Sequence, residues 1–368
     1  MGRMPVRNAC AIFTTINMAE PRHPVIEEDM GRVLASPVPW EALRDARVLV
    51  SGAYGFVVAY VVEAILYANE RLGLNAKVTG LVRNPEKAWR RFPAYRGRPD
   101  LKFLFQDVCA PIPEHIAADF VIHGASWASP KYYGSQPVGS LMPNVMGTFQ
   151  LLELARRCRS RGFLFFSSAE MYGKVPPDLI PTPETFAGLV QPTEVRSCYA
   201  ESKRMGETMC VAWHKEHGVP STMARIFHTY GPGMALDDGR VFADFTRDIL
   251  EGRNIRMMSD GAHRRTFCYL SDASAALLMI LLKGAPATAY NMGNDDAEVS
   301  IAELAEIMVG LFPERGLRVE RVGDTHPTGY LRTAVDRACP DTRRLRGLGW
   351  TPHIGVAEGF RRTVLSYE

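Results

Sequence analysis

The sequence predicts an α/β fold in which a doubly wound parallel sheet is followed by a smaller C-terminal α/β lobe. Short apolar runs, typical of strands buried on both faces of a sheet, recur between residues 47 and 228. Helical stretches with apolar periodicity separate these runs. Beyond Thr229 the alternation becomes irregular, and turns such as Gly231-Pro-Gly occur. We therefore predict a first domain over residues 46–228 and mainly a second, substrate-binding lobe over 229–368, with some segments returning to the first domain.

Each element is predicted from its own local pattern. Residues 1–45 carry no chemical motif and are interpreted as an extension, packed on the core or on a partner subunit, with a helix starting at Pro24. Strands are predicted from apolar runs at residues 48–50, 78–82, 103–105, 120–122, 163–166 and 222–227. Helices are predicted from periodicity at residues 56–72, 144–157, 199–217, 241–252 and 300–311.

The composition is that of an ordinary globular protein and excludes several classes. Its net charge of +3 over 368 residues gives no basic field of the kind that nucleic acid requires. The apolar run at residues 9–16 is too short for a signal peptide, and no window reaches the ~20 apolar residues of a membrane span. The seven scattered cysteines favour a reducing compartment, and His214 and His217 have no evident third metal ligand. We expect a cytoplasmic protein that binds neither nucleic acid, membrane nor metal.

A glycine-containing turn between the first strand and the first helix is typical of a Rossmann-type dinucleotide site. Gly52 and Gly55 allow backbone amides to approach a pyrophosphate at the positive end of the helix. The third glycine position of the motif holds Val58, so the turn alone is also consistent with a plain strand-to-helix connection. The residues of this loop predicted to contact the cofactor are Gly52, Tyr54, Gly55, Phe56 and Val57.

The following strand ends leave the choice between NAD and NADP open. Arg83 follows the second strand, where an acidic residue would bind the ribose of NAD. Its guanidinium can face the 2′-phosphate of NADP, stack on the adenine of NAD, or remain a solvated charge. Asp107 and Val108 follow the third strand and are expected near the adenine. Ala125 and Ser126 follow the fourth strand, where small residues let the backbone approach the cofactor.

Four residues predict a site for proton transfer. Tyr199 and Lys203 are four apart on one face of a predicted helix, so the ammonium is expected to lower the pKa of the phenol. Ser168 and Glu170 follow the fifth strand, at the sheet edge where doubly wound folds bind ligands. The sequence therefore places a hydroxyl and a carboxylate beside the Tyr–Lys pair.

Several ordered motifs resemble the extended short-chain dehydrogenase/reductases, the NAD-dependent epimerase/dehydratase family of nucleotide-sugar enzymes. Within that family the chain is most similar to the UDP-glucuronate decarboxylases, or UDP-xylose synthases. The resemblance covers about residues 47–293. The matching stretches are Ala128-Ser-Pro, Asn144-Val-Met-Gly-Thr, Glu170-Met-Tyr-Gly, Arg196-Ser-Cys-Tyr with Lys203-Arg, Ala224-Arg-Ile-Phe-His-Thr-Tyr-Gly-Pro, Asp237-Asp-Gly-Arg-Val and Arg265-Thr-Phe-Cys-Tyr.

The resemblance implies a nicotinamide that is reduced and reoxidised within one turnover, through a 4-keto sugar. Tyr199 would act as the base on the C4 hydroxyl, Ser168 would orient that hydroxyl, and Lys203 would hold the nicotinamide ribose. Asn144 and Phe227 lie in matching motifs and are expected at the cofactor. The resemblance also implies a homodimer that pairs through the helices predicted at residues 144–157 and 199–217.

Within the family, Glu170 favours decarboxylation of UDP-glucuronate. Related 4-epimerases usually carry a small hydroxyl residue at this position, and related 4,6-dehydratases carry an aspartate where this chain has Ala169. Two alternatives stay open. One is epimerisation or dehydration of another nucleotide sugar, and the other is a non-catalytic NAD(P)-binding sensor.

The predicted substrate contacts include departures from the family pattern. Arg240 and Arg265 match positions that contact the anionic substrate, and a guanidinium can bind a diphosphate bidentately. His228 replaces an asparagine of the relatives, and two consequences are open: its larger imidazole reshapes the pocket, or it titrates near neutral pH and supplies an additional acid or base. Trp127 is expected to wall the pocket, with core packing as the alternative. The complete predicted substrate set is Trp127, Ser168, Glu170, His228, Arg240 and Arg265.

Overall fold

The computed structural model describes residues 21–323 and 335–368. Its helices are α1 Pro24–Ala35, α2 Phe56–Leu72, α3 Pro85–Arg91, α4 Lys131–Ser135, α5 Pro137–Met142, α6 Thr148–Cys158, α7 Ser197–His217, α8 Val241–Leu250, α9 Leu270–Lys283, α10 Ile301–Gly310, α11 Arg343–Arg346 and α12 Val356–Leu365. Its strands are β1 Arg47–Ser51, β2 Lys77–Val82, β3 Leu101–Phe105, β4 Phe120–His123, β5 Gly162–Ser168, β6 Ser221–Ile226, β7 Thr229–Tyr230, β8 Ile255–Met257, β9 Arg264–Thr266, β10 Cys268–Tyr269, β11 Thr288–Met292, β12 Glu298–Ser300, β13 Val319–Arg321 and β14 Arg337–Ala338.

The central sheet has seven parallel strands in the order β11-β6-β5-β4-β1-β2-β3. The chain runs outward from β1 to β3 and then returns to the other side of β1 with β4. This reversal opens a crevice at the carboxyl ends of β1 and β4, where folds of this kind bind their ligands. The predicted doubly wound fold is confirmed.

Alternate residues of each strand pack against helices on opposite faces of the sheet. Val48 and Val50 belong to one buried cluster, together with residues of α2 and α9. Leu49, between them, belongs to the other buried cluster, together with residues of α6 and α7. This covering of both faces explains why the strands read as nearly continuous apolar runs. All seven residues of β5 are buried.

The N-terminal extension, from residue 21 onward, is part of the protein's own core. α1 contacts α2 and α9, and its Asp29 side chain is fully buried. The hydroxyls of Tyr60 and Tyr269 donate to Asp29 Oδ2 over 2.6 and 2.7 Å. Arg362 of α12 donates to Oδ1 over 2.7 Å. The predicted helix at Pro24 is thus present and joins α2 to the C-terminal helix, whereas residues 1–20 and their apolar run lie outside the described residues.

Residues beyond 228 contribute to both parts of the molecule. α8, α10 and α12 enclose a second apolar core that includes Phe245, Phe267 and Phe360. The segment formed by α9 and β11, by contrast, returns to the central sheet, and β11 pairs with β6. A capping box between Ser300 and Glu303 starts α10 one residue after the predicted beginning.

The described residues contain neither a membrane-spanning helix nor a metal-binding cluster. No helix within residues 21–323 and 335–368 is long and apolar enough to cross a membrane. In the same part of the chain, no group of three or more His, Cys, Asp and Glu side chains is arranged to hold a metal ion.

Candidate active site

The glycine turn presents an open helix N-terminus to the crevice. Gly52 has a φ of +70°, and a Cβ on it would lie 2.8 Å from the Cα of Ala125, so only glycine fits there. Gly55 is the N-cap of α2, and its amide donates to the carbonyl of Gly52 over 2.7 Å. No side chain caps this helix and its first turn has no acidic residue. The turn therefore fits a dinucleotide pyrophosphate, as the sequence predicts.

Buried polar atoms near the ends of β1 and β4 have hydrogen-bonding capacity to spare. The amide of Ala125 donates to the Ser51 hydroxyl over 3.2 Å, which fixes the loop after β4. The side-chain amide of Asn144 donates to the carbonyl of Ser140 and the hydroxyl of Ser202, both at 3.0 Å. Among the described residues, neither Asn144 Oδ1 nor Ser126 Oγ has a partner. Both atoms can serve a bound cofactor or the water around it.

The side chain of Arg83, which follows β2, contacts both Asp107 and Trp127. The Arg83 guanidinium lies 3.7 Å from the Asp107 carboxylate and 5.4 Å from the centre of the Trp127 ring. Trp127 also lies against Tyr132, with 5.1 Å between the ring centres. Arg83 thus makes an ion pair and a cation–π contact, neither of which is among its three predicted alternatives, and the choice between NAD and NADP stays open. Val108 is instead buried in the core beside α6.

The four residues of the predicted proton-transfer site lie together at the end of β5. Ser168 ends β5, and Tyr199 and Lys203 lie on α7, which packs on that strand. The Ser168 hydroxyl accepts from the Glu170 amide over 3.2 Å, and Ser168 is close enough to Tyr199 to lower the pKa of its phenol. The Lys203 ammonium donates to the carbonyl of Phe166 over 2.7 Å, and its Nζ is 5.5 Å from the centre of the Tyr199 ring.

Burial dominates the protonation of the Tyr–Lys pair. It raises the pKa of Tyr199 to about 12, although the nearby Ser168 hydroxyl and the charge of Arg240 act in the opposite direction. Burial also lowers the pKa of Lys203 to about 7, partly offset by Glu207. The expectation that the ammonium lowers the pKa of this phenol is therefore wrong for the protein alone. Helical spacing brings the two groups close, but both are desolvated, and desolvation disfavours both charged forms.

Glu170 lines a small cavity of about 80 Å³ at the carboxyl end of β5. Its carboxylate is 3.1 Å from the guanidinium of Arg196. Phe227, His228 and Arg265 line the same cavity. Phe227, which the motif resemblance assigned to the cofactor, thus lies beside three of the residues predicted for the substrate.

The two predicted substrate arginines have different surroundings. Arg265 is nearly buried, and its guanidinium donates to the carbonyl oxygens of Val335 and Asp336 over 2.6 and 2.9 Å. Arg240 does not line this cavity, and it donates to the carbonyl of Ala128 over 3.1 Å. Its charge nevertheless acts on Tyr199, so it lies close to the reacting groups.

His228 does not behave as a group that titrates near neutral pH. Burial and, to a smaller extent, the charges of Arg265 and Arg240 lower its pKa to about 3. The expectation of an additional acid or base at this position is therefore wrong, since the imidazole is neutral at ordinary pH. Its Nδ1 is buried without a hydrogen-bond partner among the described residues.

Two features of the site have no counterpart in the sequence prediction. The ring of Tyr133, on α4, stacks on the ring of Tyr199 with 4.9 Å between their centres. Behind the site, Arg225 of β6 pairs with Glu207 of α7 at 2.7 Å. Glu207 is four residues after Lys203, on the same helix face, and this spacing is a signal that could have identified it. Nothing in the local sequence singles out Tyr133.

Known proteins are similar to this chain over the same residues that carry the sequence motifs. A model of the NAD dependent epimerase/dehydratase family matches residues 48–293. UDP-glucuronic acid decarboxylase 5 of Arabidopsis thaliana is 35% identical over 317 residues, covering 85% of this chain and 87% of that protein. UDP-glucuronic acid decarboxylase 1 of Xenopus tropicalis is 33% identical over 334 residues, covering 89% of this chain and 74% of that protein.

Solved structures of lower identity share the fold. UDP-glucose 4-epimerase from Thermotoga maritima, solved with UDP-glucose, has a TM-score of 0.74 at 23% identity, covering 87% of this chain and 98% of that one. The dTDP-glucose 4,6-dehydratase DesIV from Streptomyces venezuelae, solved with NAD and TYD, has a TM-score of 0.73 at 22% identity, covering 87% and 96%. Likeness at these identities extends to the fold alone.

Proposed function

This chain belongs to the NAD dependent epimerase/dehydratase family, and from that membership and its site we propose that it decarboxylates UDP-glucuronate through a 4-keto intermediate. It is an NAD-dependent enzyme that modifies nucleotide sugars, and the choice of reaction rests on Glu170. The Glu170 carboxylate lies one short turn beyond Ser168, at the same cavity as Arg265. Ala169, between them, supplies no acid for expelling a C6 hydroxyl.

The cofactor would lie along the crevice, with its pyrophosphate at the N-terminus of α2. Its nicotinamide supplies the hydride acceptor for C4 of the sugar and the donor for the return step. Lys203 would hold the nicotinamide ribose, because its ammonium lies under the site beside the Tyr199 ring. We favour NAD over NADP because the charge of Arg83 is already paired with Asp107.

Tyr199 and Ser168 would handle the proton of the C4 hydroxyl. Ser168 would bind that hydroxyl, and the phenolate form of Tyr199 would accept its proton as hydride leaves C4. The effect of Ser168 on the pKa of Tyr199 supports this assignment, because it requires the two side chains to be close enough to reach one substrate atom. The proton returns from Tyr199 to the oxygen when hydride returns to C4.

The chemistry of the ketone explains why no acid is needed at C6. A C4 ketone makes the C6 carboxylate that of a β-keto acid. The C5–C6 bond then breaks, CO₂ leaves, and its bonding electrons form an enolate across C4 and C5. A proton added at C5 restores the ketone, which is then reduced. Glu170, held by Arg196 at 3.1 Å, would act near C5 in this sequence.

Mass spectrometry of the products tests the proposed function. The purified chain would be incubated with NAD and, separately, UDP-glucuronate, UDP-glucose and dTDP-glucose, with Tyr199→Phe as the control variant. We expect UDP-glucuronate alone to lose one CO₂, and the control to leave it unchanged. Epimerised UDP-glucose or dehydrated dTDP-glucose would favour the alternative reactions. Bound cofactor with no turnover of any sugar would favour a sensor.

Exposed apolar side chains support a homodimer. Met146 and Phe149 in the segment leading into and through α6, and Met205 and Val211 on α7, are all more than a third exposed. Two such helices per subunit would bury these side chains in a four-helix bundle. Phe149→Glu should yield a monomer in sedimentation experiments, and an unchanged species would contradict this interface.

The cysteines support a reducing, cytoplasmic location, because the six that the structure describes are all free thiols.

A further inference from the structure

The ring of Tyr133 contacts Tyr199 and Arg196, two residues of the proposed active site. It stacks on Tyr199 with an angle of 15° between the ring planes. The guanidinium of Arg196 lies 5.8 Å from the centre of the Tyr133 ring, and that guanidinium also pairs with Glu170. One aromatic ring thus contacts both the phenol proposed as the base and the arginine that holds the Glu170 carboxylate.

Tyr133 is itself held firmly. Its hydroxyl donates to the carbonyl of Ala128 over 2.9 Å, and its side chain is only 2% exposed. α4 has five residues, so the ring owes its position to these contacts and not to a long helix. The neighbouring Tyr132 points to another environment, against Trp127.

We propose that Tyr133 is a positioning residue that fixes the plane of the Tyr199 ring. Free rotation of the Tyr199 side chain would move its hydroxyl away from Ser168. The face of Tyr133 limits that rotation, because a parallel neighbour at 4.9 Å leaves no space for the ring to tilt. The inference rests on the proposed function only in assigning Tyr199 as the base. The positioning itself is a property of the protein without substrate.

Variants at position 133 distinguish the role of the ring face from that of the hydroxyl. Tyr133→Phe keeps the ring face and removes only the hydrogen bond to Ala128. Tyr133→Leu removes the ring face, and Tyr133→Met does so with a longer, more flexible side chain, in case the leucine variant does not fold. Tyr132→Leu is the matched control. It removes a tyrosine ring from the same helix, but that ring packs against Trp127 and not against Tyr199.

The first measurement needs neither sugar nor turnover. The chain would be labelled with carbon-13 at the Cζ atom of tyrosine, and the Tyr199 resonance assigned by its loss in Tyr199→Phe. We expect a narrow Tyr199 line in the parent, Tyr133→Phe and Tyr132→Leu. In Tyr133→Leu or Tyr133→Met we expect it to broaden or shift as the ring reorients. An unchanged line in the folded leucine or methionine variant overturns the proposal.

The second measurement is the single-turnover rate of nicotinamide reduction on mixing each NAD-loaded variant with UDP-glucuronate. Misplacing a reacting group by about 1 Å can cost about 10²-fold in rate, so we expect a loss of that order in Tyr133→Leu. The sugar concentration for half-maximal rate should stay within about threefold, and Tyr133→Phe should restore most of the rate. Equal losses in both variants would contradict a role for the ring face. Failure of the parent to reduce the nicotinamide would count against the proposed function, whereas the carbon-13 result would still decide the positioning.

Discussion

The side chain of Val58 fills the space that any side chain at position 124 would need. A Cβ built on Gly124 would lie 2.4 Å from Cγ2 of Val58. Val58 stands in the first turn of α2, where the dinucleotide motif has its third glycine, and Gly124 follows β4 directly. The close approach that the motif obtains from a glycine in the helix is obtained here from a glycine on the strand side.

Because Val58 fills this space, we expect any side chain at position 124 to destabilise the folded protein. Gly124→Ala should lower the free energy of unfolding by about 1–3 kcal/mol, because valine in a helix has essentially one rotamer and cannot move aside. Urea denaturation measures the change. The double variant Val58→Ala, Gly124→Ala should recover more than half of the loss. Equal stability of Gly124→Ala and the parent would contradict the packing described.

The Arg83–Asp107 ion pair predicts how the cofactor preference can be changed. Asp107→Asn should free Arg83 for a 2′-phosphate and strengthen NADP binding by up to about 1 kcal/mol, the value of an exposed ion pair. Isothermal titration with NAD and NADP measures both affinities. The double variant Asp107→Asn, Arg83→Ala should lose the gain. An NADP affinity that does not respond to Asp107→Asn would show that Arg83 does not face the phosphate.

Asp29 predicts that the N-terminal helix contributes strongly to stability. Asp29→Ala leaves the guanidinium of Arg362 and two tyrosine hydroxyls without their buried acceptor, so we expect a loss of about 3–5 kcal/mol. Glu28→Ala is the matched control, because Glu28 pairs with the same Arg362 at 2.8 Å but is 64% exposed. Its loss should stay below about 1 kcal/mol. Similar losses in the two variants, measured by urea denaturation, would contradict the role of burial.

The lowered pKa of Lys203 makes the stability of the cofactor-free protein depend on pH. Its pKa falls from 10.5 to about 7 on folding because of burial. Between these values the unfolded chain binds more protons than the folded chain, so stability due to this group rises with pH, by up to about 1.4 kcal/mol per pH unit. Lys203→Met lacks the group.

The difference in unfolding free energy between the parent and Lys203→Met should therefore grow in favour of the parent between about pH 7 and about pH 9. Urea denaturation at several pH values measures it. Parallel curves for the two proteins would show that Lys203 titrates at an ordinary pKa in the folded state.

The central sheet could be predicted because each of its first six strands is a separate apolar run. The seventh, β11 at Thr288–Met292, was not predicted as a strand. Its sequence includes Asn291, a polar residue within an otherwise suitable run. Asn291 is buried and accepts a hydrogen bond from the hydroxyl of Tyr172 over 2.7 Å. Its side-chain amide also donates to the carbonyls of Thr182 and Asp341 over 2.8 and 3.1 Å. These distant partners make the polar residue compatible with a buried strand.

The site could be predicted only where its residues follow a local rule. Ser168, Tyr199 and Lys203 follow from a strand end and a helical spacing. The stack of Tyr133 on Tyr199 joins segments 66 residues apart in sequence, and no periodicity connects them. The protonation of Tyr199 and Lys203 also could not be read from spacing, because it depends on how completely the folded chain excludes water from both groups.

The most direct test of the proposed function uses UDP-glucuronate that carries deuterium at C4 of the sugar. The chain would be supplied with NAD, and the product analysed by mass spectrometry and NMR. We expect a UDP-pentose that has lost one CO₂ and retains the deuterium at C4, because the hydride leaves and returns within one turnover. Recovery of an intact uronate inverted at C4, or of unchanged UDP-glucuronate, would contradict it.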